Sequence, residues 1–208
     1  MNTTPTPVDR TKYMDAQEVR LLRQSTELHA ARDQIAGRKA GPLAWAVVDL
    51  ALQTGLRVSE MARLKVGDFD PKRNALTVTR SKKAEAKPET MALGQGLTDH
   101  LVAFLAWKES ADQDTTAEAA LFTGQRGRLT VFGLQQIWKA EIRRAGLPKA
   151  LSIHSARHTA AVHLLKGTGN LRQVQKQLGH ASPVTTANMY ADVAFDEMAA
   201  GMDGLYTD

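Results

Sequence analysis

The side chains of this chain that could do chemistry are cations, imidazoles and one tyrosine, and they stand beside breaks between predicted elements. Six of them form the candidate set: Arg57, Lys82, His154, Arg157, His180 and Tyr190. His154 and Arg157 are three residues apart, so on a helix they share one face. His180 follows Gly179, a residue type that commonly ends a helix and turns the chain. Cations and imidazoles in this number favour an anionic partner.

Basic residues are concentrated in two blocks of the sequence. Residues 126–180 hold ten Lys or Arg and one acid, and residues 57–87 hold nine Lys or Arg and four acids, within a net charge of +5. If both blocks fold onto one face, they form the positive surface of a nucleic-acid-binding protein; the alternative is solvated helix faces. Aromatic residues are only 5% of the chain, so a duplex is favoured over stacking on unpaired bases.

Several catalytic motifs are absent from the sequence. It holds neither a P-loop nor a Gly-x-Ser-x-Gly nucleophile elbow. His154 and His158 are four residues apart and His163 follows, but no HExxH pattern accompanies them, and packing or surface roles are favoured for His158 and His163 over metal ligation. We therefore expect no metal and no cofactor.

The sequence predicts a cytoplasmic protein without a membrane partner. There are no cysteines, which excludes a disulfide scaffold. No apolar run approaches the roughly 20 residues that span a bilayer, and the N-terminus lacks the apolar stretch of a signal peptide.

The spacing of apolar residues changes along the chain and predicts a mainly α fold with a small three-stranded antiparallel β-sheet (α+β). Asp15 and Glu18 predict a capping box at the first helix, preceded by a flexible arm over residues 1–14. The predicted helices cover residues 15–36, 41–54, 59–64, 97–107, 130–145, 154–166, 171–178, 183–190 and 195–202. The predicted strands cover residues 66–69, 75–79 and 90–93.

Three segments of the sequence resemble the tyrosine recombinase (phage integrase) family. They are TGLRVSEMARLKVGDFD from Thr54, the basic hairpin that follows, and HSARHTAAVHLLKGTGNLRQVQKQLGHASPVTTANMY from His154. The match covers residues 42–195 in the family's order. The resemblance implies a tyrosine recombinase catalytic domain over residues 15–194. It also implies a C-terminal helix or tail at 195–208 that packs on a neighbouring protomer or on its own chain.

The resemblance also implies a reaction on DNA. Tyr190 would attack a phosphodiester and leave a 3′-phosphotyrosyl link with a free 5′-hydroxyl, needing neither ATP nor a metal. Tyrosine has a solution pKa of about 10, so its phenolate and the phosphate charge must both be stabilised. Arg57 and Arg157 would do so as planar, permanently charged groups that bind the non-bridging oxygens.

The remaining candidates would handle protons or orient the cations. His154 and His180 would donate to the same oxygens or take up the tyrosine proton, and Lys82 would protonate the leaving 5′-oxygen. Lys83 is the nearest competitor of Lys82 for that role. Glu60, one turn after Arg57, is expected to orient its guanidinium or to form a plain surface ion pair with it, rather than to react.

Double-stranded DNA is the expected partner, and further cations are expected to bind it: Arg80, Lys83, Lys87, Arg126 and Arg128. The family pattern predicts a homo-oligomer, a tetramer on DNA, with a monomer in solution as the alternative. About 40 residues precede the matching region, so the chain is either a recombinase without a separate N-terminal DNA-binding domain or a fragment of a longer one.

Two other functions stay open. Family members place the tyrosine nine residues after the histidine of Leu-Gly-His, whereas Tyr190 follows His180 by ten. The extra residue favours a non-cleaving DNA-binding regulator with the recombinase fold. A type IB topoisomerase-like nicking-closing activity would use similar chemistry without exchanging strands.

Overall fold

The computed structural model describes residues 13–80 and 88–179. Its α-helices are α1 (Ala16–Ile35), α2 (Ala40–Thr54), α3 (Val58–Met61), α4 (Gln95–Ser110), α5 (Val131–Arg144), α6 (Ile153–Thr168) and α7 (Leu171–Leu178). Its strands are β1 (Phe69–Asp70), β2 (Ala75–Thr79), β3 (Pro88–Ala92), β4 (Thr123–Gly124) and β5 (Gly127–Arg128). The predicted α+β class is confirmed. The helices predicted at 183–190 and 195–202 lie outside the described residues.

The start of α1 follows the sequence pattern. The Asp15 carboxylate accepts from the Glu18 N–H at 2.8 Å, and the Glu18 carboxylate accepts from the Asp15 N–H at 3.0 Å, which is the predicted capping box. The predicted flexible arm includes Met14, yet the side chain of this residue is buried in the core. Its N–H donates to Thr159 Oγ1 at 2.9 Å, so the ordered domain begins before the first helix.

α2 is the central helix of the domain. Most of its side chains are buried, and it packs against α1, α4, α5 and α6. A helix that is apolar around most of its circumference needs neighbours on every side, which explains this central position. α2 ends at Gly55, so the core helix leads directly to the segment that carries Arg57.

The three-stranded sheet is antiparallel in the order β1-β2-β3. The predicted second strand has the observed bounds, and β3 begins two residues before the predicted third strand. The predicted first strand is largely wrong, because Val66–Asp68 forms a 3₁₀ turn and only Phe69–Asp70 pairs with β2. The Asp68 carboxylate accepts from the Lys65 N–H at 2.8 Å and stabilises that turn.

A second, two-stranded ribbon forms from β4 and β5, which the sequence pattern did not predict. Two-residue strands carry too few positions to show an alternating pattern. Within the described ranges, no helix combines the length and the apolar content needed to cross a bilayer.

Candidate active site

Arg57 stands at the junction between α2 and α3. Gly55 ends α2 in the left-handed conformation, with φ of 62°. A Cβ at Gly55 would lie 2.6 Å from Leu178 Cδ2 and 3.0 Å from Ala160 Cβ, so both the backbone angle and the contact with α6 and α7 require glycine. Arg57 then turns the chain in an extended conformation into α3.

Glu60 holds Arg57 in place. Its buried carboxylate accepts from the Arg57 N–H at 2.9 Å through Oε2 and from Arg57 Nη1 at 2.9 Å through Oε1. One carboxylate therefore fixes both the backbone and the guanidinium; of the two predicted roles the buried pair matches the orienting one, and the backbone bond was not predicted. The Arg57 side chain is still 35% exposed, so the guanidinium keeps surface for an anionic ligand.

Arg157 is buried, with 4% of the residue exposed. Its Nη1 donates to the Gly55 carbonyl at 2.6 Å, and its Nη2 donates to the Leu178 carbonyl at 2.9 Å. The side chain thus joins the end of α2 to the end of α7. Both of these partners are neutral, so neither cancels the positive charge.

Burial and a neighbouring cation both disfavour the charged form of Arg157. Burial, followed by the nearby charge of Arg57, lowers the pKa of Arg157 to about 10. A guanidinium with that pKa stays protonated at neutral pH. The charges of Arg57 and Arg157 therefore repel each other, the Glu60 carboxylate offsets part of that repulsion, and a bound anion would offset more of it.

His154 lies in the first turn of α6. Ser152 caps this helix, and its hydroxyl accepts from the His154 N–H at 3.2 Å. Partial burial, then the charges of Arg157 and Arg57, lower the pKa of His154 below its ordinary value of 6.5. The imidazole is therefore mostly neutral at pH 7, and one ring nitrogen can accept a proton. Its ring meets the His158 ring edge-on, with centroids 4.9 Å apart.

A cleft of about 520 Å³ opens beside these groups, between α3, α5 and the start of α6. Arg57 and His154 both line it, together with Lys139 and Gln135 of α5. The lining supplies positive charge and hydrogen-bond donors, which suits a phosphate-bearing ligand. The sequence placed Lys139 in a basic block without giving it a role. Its spacing of four residues from Gln135 on α5 was the available signal.

The predicted DNA-binding cations fall into separate settings. Arg126 and Arg128 are exposed on the β4–β5 ribbon. Arg128 Nη1 donates to the Arg63 carbonyl at 2.8 Å, which ties the ribbon to the turn after α3. Arg80 instead points into the protein, where it contacts Glu89 and the end of α7. Five predicted site residues lie outside the described residues: Lys82, Lys83, Lys87, His180 and Tyr190.

Lys108 is a structural residue that the sequence pattern did not reveal. It is fully buried at the end of α4, and its Nζ donates to the carbonyls of Ala120 at 2.7 Å and Leu121 at 3.1 Å. Burial lowers the pKa of this amine. Lys108 fixes the segment that leads into the β4–β5 ribbon. Across residues 13–80 and 88–179, no group of three or more His, Asp or Glu residues is arranged to hold a metal ion.

Known proteins share this fold and sequence. The chain is 39% identical to the tyrosine recombinase XerC of Corynebacterium efficiens over 142 residues, which cover 68% of this chain and 44% of that protein. It is 34% identical to XerC of Mycobacterium tuberculosis over 185 residues, which cover 86% of this chain and 61% of that protein. The chain thus spans about half the length of these curated relatives.

Solved structures give the same result. The crystal structure of XerA recombinase matches with a TM-score of 0.72 and 26% identity over 91% of this chain and 65% of that one. A post-cleavage complex of XerH site-specific recombinase with palindromic difH substrate matches in fold, with a TM-score of 0.73 at 19% identity over 96% of this chain and 57% of that one. The family model for the phage integrase family matches residues 12–197. The chain therefore belongs to the phage integrase family, and its two curated relatives above are tyrosine recombinases.

Proposed function

We propose that this chain cleaves and rejoins DNA strands in site-specific recombination through a 3′-phosphotyrosyl intermediate at Tyr190. The observation that carries the proposal is the arrangement of Arg57, Arg157 and His154. Arg57 and His154 line one cleft, and Arg157 is bonded to the carbonyl of Gly55, two residues before Arg57. The kinship with XerC and XerD proteins supports the same reaction.

The two guanidiniums bind the scissile phosphate. A phosphodiester repels an incoming phenolate, and positive charge on its non-bridging oxygens removes that repulsion. Arg157 suits this role because the groups that accept its hydrogen bonds are neutral carbonyls. Arg57 suits it because Glu60 fixes its direction while part of its surface remains exposed. These cations supply the charge that a metal ion would otherwise provide.

The proposed cleavage step exchanges one phosphorus–oxygen bond for another. The Tyr190 oxygen forms a bond to phosphorus while the bond from phosphorus to the 5′-oxygen breaks. The tyrosine proton passes to His154, whose lowered pKa leaves the ring free to accept it at pH 7. Lys82 donates a proton to the leaving 5′-oxygen, and His180 donates to the phosphate. Rejoining is the reverse, so the phosphotyrosyl bond conserves the energy of the broken link.

The proposed substrate is double-stranded DNA, bound by a tetramer during strand exchange. Among the structural neighbours, one lambda integrase structure is a dimer bound to a core site and another is a tetramer bound to a Holliday junction. The exposed cations Arg126, Arg128 and Lys139 would contact phosphates around the cleft. The cytoplasmic location and the assembly state stay predictions.

One observation favours a second candidate function, binding without cleavage. Tyr190 follows His180 by ten residues, one more than the family spacing. If the extra residue directs the hydroxyl away from the phosphate, the chain binds DNA as a regulator. The cation set argues against this, since binding alone does not need two guanidiniums held close together.

Trapping on a nicked suicide duplex tests the proposal. Cleavage releases a short 5′-hydroxyl fragment, so rejoining fails and a covalent complex accumulates. We expect the complex to map to Tyr190 and to vanish in Tyr190→Phe while duplex affinity is retained. Tyr206→Phe is the matched control and should trap like the unmodified chain. Binding without a trap would support the regulator, and supercoil relaxation without strand exchange between duplexes would support the topoisomerase-like activity.

A further inference from the structure

We propose that Arg80 is a positioning residue that holds the C-terminal end of α7, immediately before His180, and that it does not contact DNA. Its catalytic consequence rests on the proposed function. Its structural part concerns the free protein alone. The inference comes from the hydrogen bonds at the end of α7, where two arginines meet the same carbonyl.

The last four carbonyls of an α-helix lack partners within the helix. In α7 these belong to residues 175–178, and each of them accepts a hydrogen bond. The Gly179 N–H donates to the carbonyls of Gln175 and Lys176. Arg80 Nη2 donates to the Gln177 carbonyl at 2.7 Å, and Arg80 Nη1 and Arg157 Nη2 both donate to the Leu178 carbonyl. We call this arrangement of Arg80 and Arg157 the α7 clamp.

The α7 clamp stabilises a helix that is weak by itself. α7 has eight residues, fewer than an isolated helix needs to be stable in water. Guanidiniums at a helix C-terminus also interact favourably with its partial negative charge. The two arginines therefore supply both the missing donors and the matching charge.

Arg80 links α7 to the three-stranded sheet. It directly follows β2, and its Nε donates to Glu89 Oε2 on β3 at 2.7 Å. Gln177 Nε2 forms a second link by donating to the Ala92 carbonyl on β3 at 2.6 Å. The end of α7 is thus fixed to the sheet whose β2–β3 connection carries Lys82.

Gly179 shows how closely Arg80 approaches the backbone. A Cβ on Gly179 would collide with the Arg80 guanidinium, and φ at Gly179 is 64°, where side chains are disfavoured. Both the close approach of Arg80 and the positive φ angle therefore favour glycine at position 179. The backbone conformation at the end of α7 is therefore set where Gly179 packs against Arg80.

A role in DNA binding fits Arg80 poorly. The Arg80 side chain is only 10% exposed and is paired with a carboxylate, Glu89, whereas the hydrogen-bond partners of Arg157 are carbonyls. The Nε, Nη1 and Nη2 atoms of Arg80 all donate within the protein. A movement of Arg80 toward a phosphate would break the bonds that complete α7.

Hydrogen exchange on the free protein tests the structural part. Arg80→Ala should raise the exchange rates of amides in residues 171–179 by about 10-fold, because the net loss of a buried hydrogen bond or two is of that order. Arg20→Ala, which removes an exposed arginine from α1, is the matched control and should leave these amides unchanged. Unchanged exchange in Arg80→Ala overturns the proposal.

Duplex binding and single-turnover trapping test the functional part. We expect Arg80→Ala to bind duplex within about 3-fold of the unmodified chain with the same salt dependence. The trapping rate at saturating protein should fall by about 100-fold, since small misplacements of reacting groups have effects of that size. A loss of affinity with a salt slope reduced by about 0.9 would instead identify a phosphate contact and overturn the proposal.

Glu89→Gln keeps the experiment decisive if Arg80→Ala does not fold. It removes the charge that holds Arg80 Nε but leaves the rest of the α7 clamp. The α7 clamp predicts faster exchange at 171–179 and slower trapping with unchanged affinity. A phosphate-binding Arg80 predicts tighter duplex binding and unchanged exchange. If the unmodified chain forms no covalent complex, the proposed function fails, while the exchange result still decides whether Arg80 positions α7.

Discussion

Buried charge is handled in opposite ways in two regions of this molecule. At the candidate site the buried guanidinium of Arg157 has neutral carbonyls as its hydrogen-bond partners, and the buried Glu60 carboxylate bonds to Arg57 instead. In a second region, the buried ions are carboxylates that pair directly with arginines. We call this second region the acid network: Asp33, Asp49 and Glu141 with their partners Arg23, His29, Arg38, His100 and Arg144.

The acid network is built from matched charges. Asp49 accepts from Arg23 Nε at 2.8 Å and lies 2.7 Å from His100 Nδ1, which joins α2 to α1 and α4. Asp33 accepts from Arg38 Nε at 2.7 Å and from the Gly41 N–H at 2.8 Å. The arginines are between 47% and 64% exposed and each buried acid is paired with one of them, so this region serves the fold.

The difference shows how a folded protein can bury or orient a cation while its charge stays available to a bound anion. A carboxylate partner cancels a cation, whereas a carbonyl partner orients it and leaves its charge intact. Arg157 is held by carbonyls, and Arg57 has one carboxylate partner with part of its surface exposed. Positive charge therefore remains available where a phosphate would bind. In the acid network the arginines are instead paired with buried carboxylates.

The largest effect expected from this comparison is on Arg157. Arg157→Ala should lower single-turnover cleavage by about 1,000-fold, in line with removing a donor that stabilises transition-state charge. The control is Arg38→Ala, which removes a 64% exposed arginine from the acid network and should not change cleavage. Equal losses of cleavage in the two variants would contradict the separate roles of the two regions.

The second prediction concerns stability. Asp49→Asn should lower the free energy of unfolding by about 2–3 kcal/mol, because it leaves His100 and Arg23 without their carboxylate. Cleavage by the folded fraction should stay the same. Denaturant unfolding measures the first effect and single-turnover trapping the second. A large cleavage defect in fully folded Asp49→Asn would contradict the division of roles.

The stability contributed by Asp49 should depend on pH in one direction. Burial opposes its ionisation, but the hydrogen bond from His100 and the charge of Arg23 outweigh burial, so the pKa of Asp49 lies below its ordinary value. A depressed folded-state pKa gives stability that is present above the unfolded pKa of about 3.9 and is lost as pH falls through the folded value. The deficit of Asp49→Asn should therefore shrink below about pH 4.

A smaller effect is expected at Glu60. Glu60→Gln keeps the shape of the side chain but weakens its hydrogen bonds to the Arg57 backbone and guanidinium. Cleavage should fall by about 10-fold, the lower range for residues that orient a functional group. Glu118→Gln, an exposed acid paired with Lys65, is the control and should behave like the unmodified chain. A defect as deep as that of Arg57→Ala would make Glu60 more than an orienting group.

The smallest expected effect is a shift in pH dependence. Because burial and the two arginines lower the pKa of His154, the acid limb of the cleavage rate should have its midpoint below 6.5. Arg57→Lys keeps the charge and should leave that midpoint nearly in place, whereas Arg57→Gln should move it upward. If the midpoint is the same in Arg57→Lys and Arg57→Gln, His154 does not titrate in this step.

Local features of the fold were predictable, and long-range contacts were not. The capping box of α1 and the bounds of α7 could be predicted because caps and glycine stops act within a few residues. Val66–Asp68 looked like a strand, since the Asp68 side chain that forms the turn gives no apolar signal. The β4–β5 ribbon was too short to show a pattern.

The site divides in the same way. Sequence motifs predicted Arg57, His154 and Arg157 as site residues, and the spacing of three residues between Arg57 and Glu60 suggested that they pair. The carbonyl partners of Arg157 and Arg80 could not be predicted, because these contacts join residues that are between 21 and 102 positions apart in the chain. Arg80 therefore resembled a DNA-facing residue of a basic hairpin.

The central claim is that Arg57 and Arg157 act on the charge of one phosphate. The direct measurement compares trapping of Arg157→Ala on a suicide duplex with a normal scissile phosphate and on one with a neutral methylphosphonate at that position. We expect almost no covalent complex with the phosphate and restored formation at Tyr190 with the methylphosphonate, because the charge that Arg157 must offset is gone. Failure of the neutral linkage to restore the complex, with duplex binding intact, would contradict the account.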